Sequence, residues 1–249
     1  EAPEDYFTST EIQYKTVNGV NTHLVSSAVQ TSSNGTITTN YTYDSYGNVT
    51  GTTVTAAGSN YSINESASYT NYGNYLSSVT DSRGKTTNYS YNTATDLLKF
   101  VEDANSNRTA YIYDDRDRVT SVYIDSDEDG VKDTSEAAVD YTYENNNLTG
   151  ISTATTDYTL NYDVFYNLSS IDVGDDYTIA SYTYGPQNGK LLKTPYGNGF
   201  YVENVYDNLD RISEIKYNGE VKFRFEYNSE GRLTRHQDLV NGHVTKYTY

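Results

Sequence analysis

The sequence predicts an all-β protein, built as an array of about 22-residue hairpin repeats that form a spiral or strongly curled antiparallel sheet. Three observations predict it. Tyrosines recur at a nearly fixed interval, strand-like segments alternate with turn residues, and no segment has the pattern of a helix longer than a turn or two. The aligned tyrosines, one from each copy, are Tyr43, Tyr69, Tyr91, Tyr113, Tyr143, Tyr162, Tyr184, Tyr206, Tyr227 and Tyr249.

Each copy is predicted to hold two strands and two turns. The copy from Asn107 to Val122 is typical, with a Tyr-x-Tyr-Asp segment, a polar loop and then aliphatic residues. The two tyrosines lie on one side of a strand because strand side chains alternate between faces, and Tyr, Thr and Val favour strands. The loop needs a positive φ, which glycine and aspartate tolerate. Four residues after the aligned tyrosine, this position is held by Gly47, Gly73, Asp117, Asp210 and Gly231.

Residues 6 to 40 precede the clear copies and are also predicted to form hairpins. Asn-Gly between strand-like runs is the strongest short hairpin signal. Asn18 and Gly19 separate the runs 12–17 and 20–26, and a second Asn-Gly at 34–35 precedes the run 36–43. The same signal returns at 218–219 and 241–242.

Most copies carry two aliphatic residues three positions apart, a spacing that does not fit one face of a regular strand. Either a β-bulge resets the alternation, or both faces are partly covered. About ten copies of two strands at roughly 4.8 Å each would make a ribbon on the order of 90 Å wide, so the sheet is expected to coil. The pairs are Leu76 and Val79, Leu98 and Val101, Val119 and Val122, Leu148 and Ile151, Leu168 and Ile171, and Ile212 and Ile215.

The composition is unusual for a chain of 249 residues, which is long enough to bury a core. Hydrophobic residues make up 35%, with 29 Tyr and no Trp, Met or Cys. Tyrosine must fill much of the space that leucine usually fills, and neighbouring Ser, Thr and Asn can supply the partner that each buried hydroxyl needs. The formal charge of −17 argues against nucleic acid or an anionic membrane as partner. No run approaches the roughly 18 apolar residues of a membrane span, so no membrane insertion is expected.

An acidic insertion lengthens the interval between Tyr113 and Tyr143 to 30 residues. In the segment 125–136, carboxylates occupy positions 1, 3, 5, 9 and 12, with Gly130 at position 6. This is the spacing of calcium loops, in which oxygen ligands converge on a hard cation and the glycine permits a sharp turn. Calcium is the predicted cofactor, and the alternative is a solvated acidic loop. The predicted ligands are Asp125, Asp127, Asp129, the backbone carbonyl of Val131, Asp133 and Glu136.

No motif points to catalysis. None of the three histidines lies beside a serine or cysteine nucleophile in a recognisable pattern. Arg118, Arg211 and Arg232 share one position of the copy, and we expect them to pair with carboxylates or hydroxyls of adjacent copies. We therefore expect no enzyme, and no catalytic residue.

Three segments resemble the RHS or YD-repeat family, namely 41–49, 206–212 and 225–233. Each has the aligned tyrosine, an Asp or Asn after it, and a turn followed by an aliphatic residue. The segment 79–91 is similar to the family's inter-motif segment, and the likeness runs from about residue 40 to the end. The family includes bacterial wall-associated and polymorphic toxins, insecticidal toxin complexes and teneurins. The resemblance implies a spiral β-sheet that winds into a hollow shell.

The function that the resemblance implies is that of a structural shell segment in an exported protein, secreted or associated with the cell surface or cell wall. The shell would enclose or present a toxin effector, and its partner would be a C-terminal effector domain of the same polypeptide. The alternative is a cell-surface adhesin or carbohydrate-binding module that binds a surface glycan or protein. Because the chain starts without Met and stops inside a motif, we expect residues 1–249 to be a single array from a longer protein. The fold alone does not choose between the two functions.

Overall fold

The computed structural model describes residues 9–17, 19–70 and 72–249, and its regular elements are 22 β-strands. The prediction of an all-β array of antiparallel hairpins is confirmed. The predicted turn residue Asn18 lies outside the described residues. Within the described ranges, no helix has the length and apolar character needed to span a membrane.

The chain forms two compact units, the first ending at Glu136 and the second beginning at Ala137. In the first unit, each strand pairs antiparallel with the strand that follows it, as expected for hairpins joined in series. Its strands are β1 (Ser9–Val17), β2 (Val20–Ser32), β3 (Gly35–Tyr43), β4 (Val49–Ala56), β5 (Ser62–Tyr69), β6 (Leu76–Thr80), β7 (Thr86–Tyr91), β8 (Leu98–Glu102), β9 (Arg108–Tyr113) and β10 (Val119–Ile124).

The second unit repeats this arrangement in two antiparallel ladders. Its strands are β11 (Ala138–Glu144), β12 (Asn147–Thr153), β13 (Asp157–Tyr162), β14 (Leu168–Val173), β15 (Tyr177–Ser181), β16 (Thr183–Tyr184), β17 (Leu191–Pro195), β18 (Tyr201–Tyr206), β19 (Ile212–Tyr217), β20 (Glu220–Tyr227), β21 (Leu233–Asp238) and β22 (His243–Lys246). Strands β11 to β15 form the first ladder and β16 to β22 the second. A single array over residues 1–249 stays a prediction.

A β-bulge beside the aligned tyrosine explains the three-residue spacing of the aliphatic pairs. In the β7–β8 hairpin, Tyr91 pairs with Leu98 and Ser90 pairs with Phe100, so Lys99 is the extra residue. The bulge brings Leu98 and Val101 to the same face, which confirms the first of the two explanations. The same shift occurs in nine hairpins, beside Tyr43, Tyr69, Tyr91, Tyr113, Tyr143, Tyr162, Tyr184, Tyr206 and Tyr227.

Eight of the ten aligned tyrosines use their hydroxyls in the same way, to tie their hairpin to the one before it. Tyr91, for example, donates from its Oη to the main-chain carbonyl of Leu76, 2.9 Å away. The expected partners were polar side chains, but the acceptor is a main-chain carbonyl in every case. Eight hydroxyls make this bond at 2.7–3.0 Å: Tyr43 to Val25, Tyr91 to Leu76, Tyr113 to Leu98, Tyr162 to Leu148, Tyr184 to Leu168, Tyr206 to Leu191, Tyr227 to Ile212, and Tyr249 to Leu233.

Full burial is rare in this sheet. Among the described residues, the buried ones are Ala110, Ser121, Tyr123, Asp125, Ala180 and Thr194. Most other strand residues are half-buried, because strands contact mainly the strands beside them. The described residues therefore form no large buried core, although the chain is long enough for one. Stability depends on contacts between adjacent strands.

Candidate functional site

The acidic insertion begins where β10 ends, and its first carboxylate is the most deeply buried one described. The Asp125 N–H donates to the Arg108 carbonyl over 3.0 Å and so extends the β9–β10 ladder by one residue. Only 1% of Asp125 is exposed. Carboxylate oxygens of Asp125, Asp127 and Glu136 all lie within 4.8 Å of one another. The structure thus brings together three of the predicted calcium ligands.

Backbone hydrogen bonds to the Glu136 carboxylate close the insertion. Glu136 Oε1 accepts the N–H of Ser126 at 2.7 Å, and its Oε2 accepts the N–H of Asp133 at 3.0 Å. Gly130 has a φ of +77°, as the calcium-loop spacing requires, and its N–H points to Asp125 Oδ1 over 3.4 Å. The last carboxylate of the insertion is therefore held beside the first.

The other three predicted ligands are arranged differently. The Asp129 carboxylate accepts the N–H of Val131 at 2.7 Å, which makes a local turn. Asp129 and Asp133 are exposed and do not belong to the group formed by the three carboxylates. Val131 is also exposed. A calcium ion held by all six residues therefore stays a prediction.

Arg108 pairs with the buried carboxylate of this site, and the sequence pattern did not predict it. Its Nη1 lies 3.4 Å from Asp125 Oδ2 and donates to the Glu128 carbonyl at 2.9 Å. Its Nη2 donates to Glu102 at 3.1 Å, and its guanidinium lies over the Phe100 ring at 4.2 Å. The signal that could have found it is the hairpin register, since residue 108 lies opposite residue 125 when β9 and β10 are paired.

Negative charge dominates at the loop in spite of Arg108. Tyr123 lies two residues before Asp125, the first residue of the insertion, and is almost fully buried. Burial raises the pKa of the Tyr123 hydroxyl, and the charges of Asp125, Glu136 and Asp129 raise it further, although Arg108 acts in the opposite direction. The loop therefore combines a group of carboxylates with a field that favours an added cation.

The ordinary turns use a side-chain oxygen, of Asp in six of them and of Asn in one, in a different way. In seven of them, the Oδ1 of the first residue accepts the N–H groups two and four residues later, and the residue three positions on has a positive φ. The first residues are Asp44, Asp81, Asp103, Asp114, Asp163, Asp207 and Asn228. The positive φ predicted at Gly47, Gly73, Asp117, Asp210 and Gly231 is confirmed.

The repeated arginines pair within their own turns. Arg118 Nε donates to Asp114 Oδ2, and Arg211 Nε donates to Asp207 Oδ2, both at 2.8 Å. From the adjacent copy, Arg211 meets the Tyr227 ring at 4.5 Å and the main-chain carbonyl of Asn228 at 3.5 Å, in place of the expected carboxylate or hydroxyl. These arginines therefore contribute to the scaffold.

No family model and no curated protein matches this chain. Among solved structures, a chain of the TcdB2-TccC3-TEV crystal structure matches at 15% identity with a TM-score of 0.47, covering 91% of this protein and 16% of that chain. TcdB2-TccC3 without its hypervariable C-terminal region matches at 15% identity and a TM-score of 0.46, covering 87% and 15%. A chain of the Photorhabdus luminescens Tc holotoxin pore matches at 15% identity and 0.44, covering 87% and 14%. The protein spans less than a fifth of the length of each of these three chains.

Proposed function

We propose that this protein is a structural shell segment of an exported RHS/YD-repeat protein, and that it encloses or presents a toxin effector. The proposed partner is a C-terminal effector domain of the same polypeptide, and the proposed location is outside the cell or at the cell surface. The role is mechanical and needs no catalysis.

The observation that carries this proposal is the tyrosine hydroxyl bond repeated from copy to copy. Tyr91 and Tyr113, one period apart, bond to Leu76 and Leu98 in the same way. An array whose units bond to their neighbours by one repeated contact can be extended without a new core, because each added unit brings its own contacts. A shell needs to be extended unit by unit in this way, and a compact enzyme does not.

The test is limited proteolysis of the natural polypeptide purified from its producing cells. A shell predicts a resistant fragment containing this chain and a downstream fragment that is cut only after denaturant opens the sheet. The matched control is the downstream domain expressed by itself, which should be cut at once. Equal cutting of the downstream domain inside and outside the natural polypeptide would contradict the proposal.

The second candidate is a cell-surface adhesin or carbohydrate-binding module, which exposed aromatic side chains favour. Tyr61 is 80% exposed and Tyr72 76%, and an exposed ring can stack against a sugar. Binding of the purified chain to a glycan array, lost in Tyr61→Ala or Tyr72→Ala, would favour this function over the shell.

We also propose that the insertion binds calcium with Asp125, Asp127 and Glu136 as the core of the site. Calcium takes six to eight oxygen ligands, and backbone carbonyls, water and small movements of Asp129 and Asp133 can complete the shell. At ten times the dissociation constant, linkage gives about 1.4 kcal/mol of stabilisation. The role is to order the loop, since β10 and β11 already have ladder hydrogen bonds to β9 and β12.

Calorimetric titration of wild type, Asp127→Asn and Glu136→Gln tests the calcium site. Wild type should release or absorb heat on calcium addition, and both variants should bind more weakly. Asp115→Asn, which removes one carboxylate from the exposed Asp114 turn, is the matched control and should bind as wild type does. Unchanged binding in both loop variants would leave a solvated acidic loop.

A further inference from the structure

An aromatic cleft in the second unit lies well away in sequence from the acidic insertion. It has a volume of about 560 Å³ and lies between the ends of β15, β17, β18 and β19. Four rings line it, those of Tyr177, Tyr196, Phe200 and Tyr217, together with two aliphatic side chains. The repeat scaffold does not need this cleft, because none of these four residues is an aligned tyrosine.

The rings contact one another along the wall of an open cleft. Tyr196 and Phe200 have centroids 6.0 Å apart with planes tilted by 33°, and Phe200 meets Tyr217 edge-on at 5.4 Å and 65°. Tyr177 is 50% exposed and Tyr196 40%, so parts of both rings face solvent. Aromatic faces carry negative charge density, and several of them around one space attract a cation.

Gly197 allows the fourth ring to approach the turn between β17 and β18. A Cβ on Gly197 would overlap the main-chain oxygen of Thr178 and would lie 2.5 Å from both Cζ and Oη of Tyr177. Tyr177 therefore packs directly over the Gly197 backbone, a position that any larger residue would deny it. The chain thus uses a glycine to bring the Tyr177 ring against the turn that carries Tyr196.

The lining suits an organic cation better than an inorganic ion. Among the described residues that line the cleft, none is charged, and Asn198 is the one side-chain amide. The Asn198 Oδ1 already accepts the Phe200 N–H at 3.0 Å. An inorganic cation prefers carboxylate ligands, which these residues lack, whereas a quaternary ammonium needs only ring faces.

The acidic composition of the chain favours a cation over an anion as ligand. Asp175 and Asp176 are exposed and immediately precede Tyr177, and the chain as a whole carries a formal charge of −17. The same unit already holds an ammonium over a ring, since Lys193 Nζ lies 3.7 Å from the Tyr201 centroid. We propose that the cleft is a binding site for a quaternary ammonium group such as that of choline.

The test compares choline with 3,3-dimethylbutan-1-ol, its neutral carbon isostere, by calorimetric or NMR titration of the 249-residue chain. Choline should bind with a dissociation constant on the order of 1 mM, and the isostere at least about tenfold more weakly, because only choline gains the cation–π attraction. Equal binding of the two, no choline binding, or binding of cellobiose in place of choline would each overturn the proposal.

Variants locate the binding. Tyr177→Leu should weaken choline binding about fivefold, while Tyr177→Phe keeps the ring and should stay within about twofold of wild type. Tyr166→Leu, on an exposed turn of the same unit, is the control and should bind as wild type does. Thermal midpoints of all three variants show whether folding is intact. Loss of binding in Tyr177→Phe, or unchanged binding in a folded Tyr177→Leu, would contradict the site.

Discussion

Two acidic loops flank β10, and they stabilise their carboxylates in different ways. The turn before β10 begins at Asp114, whose carboxylate accepts the N–H groups of Arg116 and Arg118 and pairs with the Arg118 guanidinium. The loop after β10 begins at Asp125, which shares Arg108 with Glu102 and Glu128. In the first loop the paired cation, Arg118, belongs to the turn itself. In the second loop the paired cation, Arg108, belongs to the neighbouring strand β9.

The comparison shows that the arrangement of carboxylates matters more than their number. The turn at Asp114 also contains Asp115 and Asp117, but its sequence supplies local donors for the one carboxylate that the turn folds around. The insertion gathers Asp125, Asp127 and Glu136 around a point, with one arginine for several acids. A site with surplus negative charge has a use for an added cation, whereas a self-compensated turn has none.

The largest expected effect on stability comes from removing the Arg108 guanidinium. Arg108→Met leaves buried Asp125 without its guanidinium and should lower the free energy of unfolding by about 2 to 3 kcal/mol, the low end for a buried pair because Arg108 keeps some exposure. Urea denaturation in EDTA measures it. Calcium should restore part of the loss, since it supplies the missing positive charge.

The control for that variant is Arg83→Met, which removes an exposed partner of Asp81 in an ordinary turn. This surface pair should contribute little, so Arg83→Met should unfold near the wild-type midpoint with or without calcium. If calcium failed to stabilise Arg108→Met, the insertion would be an acidic loop held only by Arg108.

A smaller effect is expected where the ordinary turn is tied to the preceding hairpin. Tyr113→Phe deletes the hydroxyl that bonds to the Leu98 carbonyl and should cost about 1 kcal/mol, because the half-buried carbonyl loses its partner. Thermal unfolding measures the change, with Tyr72→Phe at an exposed ring as control. A loss in Tyr72→Phe as large as that in Tyr113→Phe would show that the repeated bond is not what stabilises the hairpin.

Both loops need a residue at positive φ, Asp117 at +61° in the turn and Gly130 at +77° in the insertion. Gly130→Ala should cost about 0.5 to 1 kcal/mol, because alanine is strained there although nothing blocks its Cβ. Calcium affinity should fall together with stability. Asp117→Asn keeps a residue type that tolerates this φ and should be nearly neutral; destabilisation of both variants by the same amount would refute the role of φ.

The smallest effect expected is the acid response of the turn. The Arg118 side chain, followed by backbone N–H groups, holds the pKa of Asp114 below its ordinary value of 3.8. The contribution of the ionised Asp114 to folding stability is complete at a pH above the ordinary pKa. It is lost as the pH falls through the lowered pKa of the folded protein. Urea midpoints measured from pH 7 down to pH 2.5 should therefore fall less steeply in Asp114→Asn than in wild type, below about pH 4. Parallel curves would contradict the assignment.

Much of the fold could be predicted because its signals are local. Hairpin turns, positive-φ positions and the tyrosine interval depend on residues close together in sequence, and the structure places Gly47, Asp117 and Asp210 as expected. Tyr166 was not singled out, although it occupies the same turn position at a φ of +65°. An aromatic residue there gives no turn signal of its own, so only its place in the repeat could have marked it.

The sequence by itself determined the all-β class, the repeat and the spacing of the acidic loop, because each depends on interactions within one hairpin. Tertiary structure decided which residues of other hairpins each hairpin contacts. It selected main-chain carbonyls as tyrosine partners, buried Asp125 against Arg108, and gathered Tyr177, Tyr196, Phe200 and Tyr217 around one cleft. Apart from Tyr196 and Phe200, which share a turn, these contacts join residues about 15 or more positions apart. Strand pairing, not local propensity, sets which of them come together.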